Sequence, residues 1–353
     1  TTDEFYDMLV AMRDGDPNGN GVADEIPLSG SPTGWKTDPF QFLCNSFVYY
    51  NASDYTVVED GVVTMSYMQD GFKDALIYYN SLVEADLLMT DAFTQDVASL
   101  KVLTTSDLDE RIVGVAPGGM QSTIANMVNY EDGEWTDWIS LAPLEGPDGV
   151  QYALLNSIYP TAMGHITDNC EYPRVAARVI DSFYESTIGT TIYAGAEGVF
   201  WDYVEPGELE GEQGNDATFT RYSQGENGET NYCWGSTSSP YSLGSYWEWP
   251  VQGDADYNQG VLLYRAAEQH SEYAPDSDMI MPPLIYDEEA ANDVTDYKTT
   301  ISSYLSEAIV TFAMNGDVEE GWDAFIQRMN DLGTQELLAL YQEAYDTRMA
   351  AMG

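Results

Sequence analysis

Apolar residues recur at helical spacing from the first turn of the chain. Thr1 and Glu4 stand three apart, the spacing of a capping box, and Phe5, Met8, Leu9 and Met12 then share one face. Phe72, Leu76, Tyr79 and Val83 predict a second amphipathic helix. In "YPRVAARVIDSFYES" Pro173 stands near a first turn and Val175, Val179 and Phe183 share a face. The C-terminal part predicts three more helical faces: Ile301, Tyr304, Leu305, Ala308 and Phe312; Trp322, Phe325, Ile326 and Met329; Leu337, Leu340, Tyr341 and Ala344. Short apolar runs at 112–115 and 139–142, each followed by a glycine-containing turn, predict buried strands. Helices interspersed with short strands make the expected class α/β. From Trp201 to about Gly260 periodicity vanishes, and that stretch carries Trp201, Trp234, Trp247 and Trp249. A long aperiodic segment with tryptophans reads as a functional loop, since disordered compositions lack aromatics.

At 353 residues, with 44% hydrophobic, the chain predicts two lobes with a real core. It has no apolar run long enough to span a bilayer. Sixty acidic residues against twelve Lys and Arg give a net charge of -48. That field repels nucleic acid and anionic membrane surfaces, so no nucleic-acid partner is expected. Cys44, Cys170 and Cys233 form neither a metal-binding spacing nor a full disulfide framework. A helix whose cap is already the first residue predicts a chain that begins partway through a longer protein.

The densest candidate chemistry lies in "DGDPNGNGVADEIP", residues 14–27. With Asp16 as position one of an EF-hand loop, Asn18 is third, Asn20 fifth, Gly21 sixth, Val22 seventh and Asp24 ninth. Alternating oxygen donors without sulfur or imidazole suit a hard cation such as Ca2+. Position twelve, normally a bidentate Glu, is Pro27, and Glu25 is the one acid placed to replace it. Spacing alone leaves two readings open: a static structural calcium site, or a series of Asx turns joining a helix to a strand.

Aromatic residues reach 13% of the chain, and exposed Trp and Tyr rings suit stacking on the C–H faces of sugars. Candidate ligand-contact residues are Trp35, Trp201, Trp234 and Trp247, with Gln121 beside the Gly118-Gly119 turn as a polar candidate. No catalytic residue is expected: His165 and His270 are far apart, and no nucleophile-elbow, P-loop or zincin spacing is present. A secreted carbohydrate-active hydrolase is the alternative reading, because 60 acids leave room for a carboxylate pair. A dockerin-like module would require a second copy of the loop, which the sequence lacks.

Several segments in order then resemble the family 1 extracellular solute-binding proteins, in particular the lipoproteins that serve ABC importers of oligosaccharides. They are "TTDEFYDML", "DPNGNGVADEIPL", "LVEADLLMTDAFTQD", "ITDNCEYPRVAARVIDSFYES" with "GAEGVFW", and "GWDAFIQRMNDLGTQELLALYQEAYD". The resemblance implies a two-lobed, helix-rich type II periplasmic-binding-protein-like fold that lacks the start of its first lobe. It implies a second lobe with the calcium loop at residues 1–150, a hinge crossing and the rest of the first lobe at 151–290, and C-terminal helices at 291–353 packing on the second lobe. It further implies a structural Ca2+ held by Asp16, Asn18, Asn20, the Val22 carbonyl, Asp24 and Glu25. The function it implies is non-catalytic capture of a neutral oligosaccharide for an ABC transporter permease. The protein would be a monomer on the cell surface, with its lipoprotein anchor outside this chain.

Overall fold

The computed structural model describes residues 1–105, 111–125, 137–154, 164–222, 248, 250–251 and 258–352. The chain divides into two compact units: Thr1–Tyr159 with Gln269–Gly353, and Pro160–Glu268.

The first unit opens with α1 (Thr2–Gly15), whose capping box forms: Thr1 Oγ1 accepts from the Glu4 N–H at 3.2 Å. Phe5 and Leu9 face the core at 3% and 0% exposure. The chain then forms β1 (Ile26–Leu28), α2 (Pro39–Cys44), the hairpin β2 (Thr56–Glu59) and β3 (Val62–Met65), and α3 (Asp70–Glu84). Next come α4 (Val97–Thr104), β4 (Val113–Val115) and the short α5 (Gln121–Ile124). β1 and β4 pair in parallel, with Ile26 opposite Val113 and Leu28 opposite Val115. The predicted strand at 139–142 does not form. Ile139 is 87% exposed, and no ladder partner reaches it among the described residues.

The unit's core is aromatic. The Phe40 ring meets Tyr50, Phe72 and Tyr79 edge-on at centroid distances of 5.7, 5.4 and 5.2 Å. This arrangement sets the positive edge of one ring against the negative face of another. The C-terminal helices belong to the same core: Ile301 and Leu305 from one, Phe325 and Met329 from the next, and Leu337 and Tyr341 from the last. Trp322 stacks on Phe325 at 5.2 Å, a packing role.

The second unit contains α6 (Pro173–Ser182), α7 (Ser186–Ala194) and an antiparallel pair, β5 (Trp201–Tyr203) with β6 (Phe219–Arg221). Its buried apolar cluster is small: Ala194, Trp201 and Phe219, with Phe200 against it. α6 forms where periodicity predicts it, yet none of its residues is buried, and Val175 and Val179 are 58% and 50% exposed. The chain leaves this unit inside α8 (Gln259–Ser271). The first unit is then completed by α9 (Glu288–Asn315), α10 (Val318–Asp331) and α11 (Thr334–Met352). α9 stops at Gly316, whose φ of 73° is left-handed, and its N–H donates to the Phe312 carbonyl.

Candidate functional site

The loop between α1 and β1 is held by its own side chains. Asp16 ends the helix in a left-handed conformation with φ 48° and ψ 61°. Its Oδ2 accepts the Gly21 N–H at 3.0 Å, drawing the loop round on itself. Asn18 Oδ1 accepts from the Asn20 N–H at 3.0 Å, and Asn20 Oδ1 accepts from the Val22 N–H at 2.6 Å. Gly19 and Gly21 take φ of 72° and 76°, which a residue with a Cβ adopts only under strain. Asn18 Nδ2 donates to the Arg111 carbonyl at 3.2 Å, tying the loop to the chain just before β4.

Both readings of the spacing therefore meet in one object, because the Asx turns exist and so does a donor set of oxygens. Two observations favour a cation. Asp16 Oδ1 and Glu25 Oε1 are buried with no hydrogen-bond partner, a costly state for carboxylate oxygens. Asn20 Nδ2 makes only long contacts to Asp24, 3.3 and 3.4 Å to its two oxygens, which a cation would readily replace. Glu25, the acid that the incomplete EF-hand pattern turns to, holds one of these two orphaned oxygens. Among the described residues no three His, Cys, Asp or Glu side chains converge as a ready-made metal group. The fit therefore rests on the orphaned oxygens and the all-oxygen chemistry.

The aromatic candidates separate. Trp35 is 47% exposed, and Gly119 lies under its ring so closely that a Cβ there would overlap it. The Gly119 N–H donates to the Trp35 carbonyl at 3.0 Å, fixing the two segments together. Gln121, which opens α5 two residues later, is brought to the same turn. Trp201 goes the other way. It is 0% exposed, donates its indole N–H to the Gly195 carbonyl at 2.8 Å, and meets Tyr203 and Phe219 edge-on. Burial leaves it no face for a ligand, so its role is packing. Trp234 and Trp247 lie outside the described residues.

Sequence reasoning passed over the neighbours of Trp35. Burial lowers the pKa of Lys36 and pushes the Asp38 carboxyl up to about 6. Asp38 caps α2 by accepting the Phe40 N–H at 2.9 Å. The available signal was Asp38 before Pro39, a helix cap followed by proline at the first helical position.

One pairing resembles hydrolase chemistry. Ser140 Oγ lies 3.3 Å from His270 Nε2. That nitrogen is also 3.0 Å from the Leu141 carbonyl. A carbonyl oxygen only accepts, so in the tautomer that satisfies this contact Nε2 donates and is not placed to take the Ser140 proton.

With this geometry in hand, the chain was compared with known proteins. No protein-family model matches it. Over 97 residues it is 38% identical to the fructooligosaccharide ABC transporter substrate-binding protein FusA of Streptococcus pneumoniae. Over 155 residues it is 26% identical to the lipoprotein LipO of Bacillus subtilis. The matched stretches are 27% and 42% of this chain, and 18% and 29% of those two relatives. A FusA EF-hand mutant in complex with fructo-nystose superimposes with a TM-score of 0.71 at 22% identity, over 99% of this chain and 69% of that one. An extracellular solute-binding protein from Bifidobacterium longum subsp. infantis gives 0.73 at 20% identity, over 98% and 69%. This chain has the fold of the ABC-transporter solute-binding proteins. The helix-rich α/β reading holds, and so does the resemblance that the ordered segments carry. Among the described residues no helix is long and apolar enough to cross a membrane.

Proposed function

We propose that this protein captures a neutral oligosaccharide and delivers it to an ABC transporter permease without altering it. The observation that carries the reading is the Trp35 ring, seated on Gly119 on one side and 47% exposed, in a chain with the solute-binding-protein fold. The open ring offers an apolar surface to sugar C–H groups, and Gln121 offers amide donors and an acceptor to hydroxyls. Similarity to a fructooligosaccharide-binding relative supports the ligand class. Monomeric state and a cell-surface lipoprotein location belong to the same proposal, and similarity to the lipoprotein LipO supports the lipoprotein part.

The loop at residues 16–25 completes the proposal as a structural calcium site held by Asp16, Asn18, Asn20, the Val22 carbonyl, Asp24 and Glu25. When bound, the ion supplies the positive charge that the orphaned Asp16 and Glu25 oxygens lack. The side chains of this loop tie the end of α1 to the start of β1 and, through Asn18, to the approach to β4.

Calorimetric titration with a panel of neutral glycans tests the capture reading. Saturable binding is expected, weakened by about tenfold or more in Trp35→Ala, because an aromatic platform contributes roughly 1–3 kcal/mol. Binding of another ligand class with none of any glycan, or release of reducing ends from a bound glycan, would refute it.

A further inference from the structure

Three carboxylate oxygens among the described residues are buried without a hydrogen-bond partner. Two are Asp16 Oδ1 and Glu25 Oε1 of the calcium loop, and the third is Glu248 Oε2, in the other unit. Glu248 is 3% exposed, and its position is firmly set. The Thr218 N–H donates to its carbonyl at 3.2 Å, and its own N–H donates to Thr218 Oγ1 at 3.2 Å. Its side chain enters the turn at 211–214, which the Gly214 N–H closes onto the Gly211 carbonyl at 3.0 Å. There Glu248 Oε1 accepts the Gln213 N–H at 2.5 Å. Only glycine permits this approach, since a Cβ at 211 would overlap the Glu248 carboxyl group.

The same turn carries Glu212, whose carboxylate lies against Gly260 in the first turn of α8 and would overlap a Cβ placed there. Beside Gly260, Gln259 holds a buried Nε2 with no acceptor, and a half-turn of that amide presents its oxygen instead. Glu248 thus reaches the 211–214 turn, and Glu212 reaches from that turn to the start of α8, beside Gln259. Glu248 has no lysine or arginine paired with it among the described residues. An enclosed carboxylate oxygen with no partner is costly, and a bound cation is one way to relieve that cost. The chain supplies twelve Lys and Arg for 60 acids, so positive charge must come largely from solution.

We propose that Glu248 and Glu212 form a second calcium site, with Gln259 as a further oxygen donor, where the 211–214 turn meets the start of α8. The inference is independent of the sugar reading and of the first calcium site. Equilibrium dialysis with radiolabelled calcium in physiological salt counts saturable ions per chain. Two are expected in the unaltered chain, one in Asp16→Ala, and none when Asp16→Ala is combined with Glu248→Gln. A single ion that disappears with Asp16→Ala overturns the second site and leaves the loop standing. A single ion that survives Asp16→Ala and goes with Glu248→Gln overturns the loop and leaves the second site. Should Glu248→Gln fail to fold, Glu212→Gln on the Asp16→Ala background decides: loss of the remaining ion supports the site, and its retention refutes it.

Discussion

The two units solve the same problem with different means. In the first, six helices and the β2–β3 hairpin share one aromatic core, and Phe40 alone touches three other rings. In the second, the buried apolar cluster among the described residues is three residues, and no residue of α6 is buried. Helical periodicity is equally clear in both, so amphipathic pattern and burial are separate facts. A pattern states which face a helix could bury, and only a neighbour of matching shape makes that burial happen. Among its described residues the second unit also shows polar fastening, as in the turn that Glu248 enters.

The largest test of this contrast is a pair of core and face substitutions. Phe40→Ala should cost about 3–5 kcal/mol, read as a lower midpoint in denaturant unfolding. Val179→Ser, on the exposed face of α6, should stay within about 0.5 kcal/mol. A large loss from Val179→Ser would show that the face is covered in solution and would end the comparison.

Calcium removal should come next. Binding to the folded state alone stabilises by about 2.7 kcal/mol when free ion exceeds Kd a hundredfold. Chelator should therefore lower the Tm of the first unit's transition, and Asp16→Ala should reproduce the shift without chelator. A melting curve indifferent to chelator would remove the ion from the loop.

Asp38 gives a smaller effect with a definite sign. Its folded pKa of about 6 lies above the ordinary aspartate value of 3.8, so folding disfavours its charged form. Its penalty is absent below about pH 4, grows between about pH 4 and 6, and is complete above that. Asp38→Asn keeps the capping acceptor and removes the charge. It should stabilise by on the order of 2 kcal/mol above pH 7 and by almost nothing at pH 4, as compared by urea unfolding at the two pH values. Equal gains at both would place the effect in packing rather than ionisation.

These comparisons also separate what was legible in the sequence from what was not. The capping box of α1, the faces of α3 and α9 and the oxygen spacing from Asp16 to Glu25 depend on residues near one another in the chain. Local geometry fixes how such residues meet, so they could be read directly. The apolar run at 139–142 has the composition of a strand, but a strand needs a partner, and none reaches it among the described residues. Trp35 and Trp201 look alike in sequence, each near glycine in an aromatic stretch. Gly119, 84 residues beyond Trp35, packs against its ring while the residue stays 47% exposed, whereas Phe219 helps to close Trp201 into a core.

The sequence by itself determined the main amphipathic helices, the charge of the molecule and the oxygen spacing of the loop at 16–25, because each follows from short spacings or from counting. Tertiary structure alone decided which tryptophan stays open, which apolar face stays bare, and that Glu25 and Glu248 each hold a buried oxygen with no partner. Those outcomes depend on segments distant in the chain meeting in space, and burial is a property of that meeting.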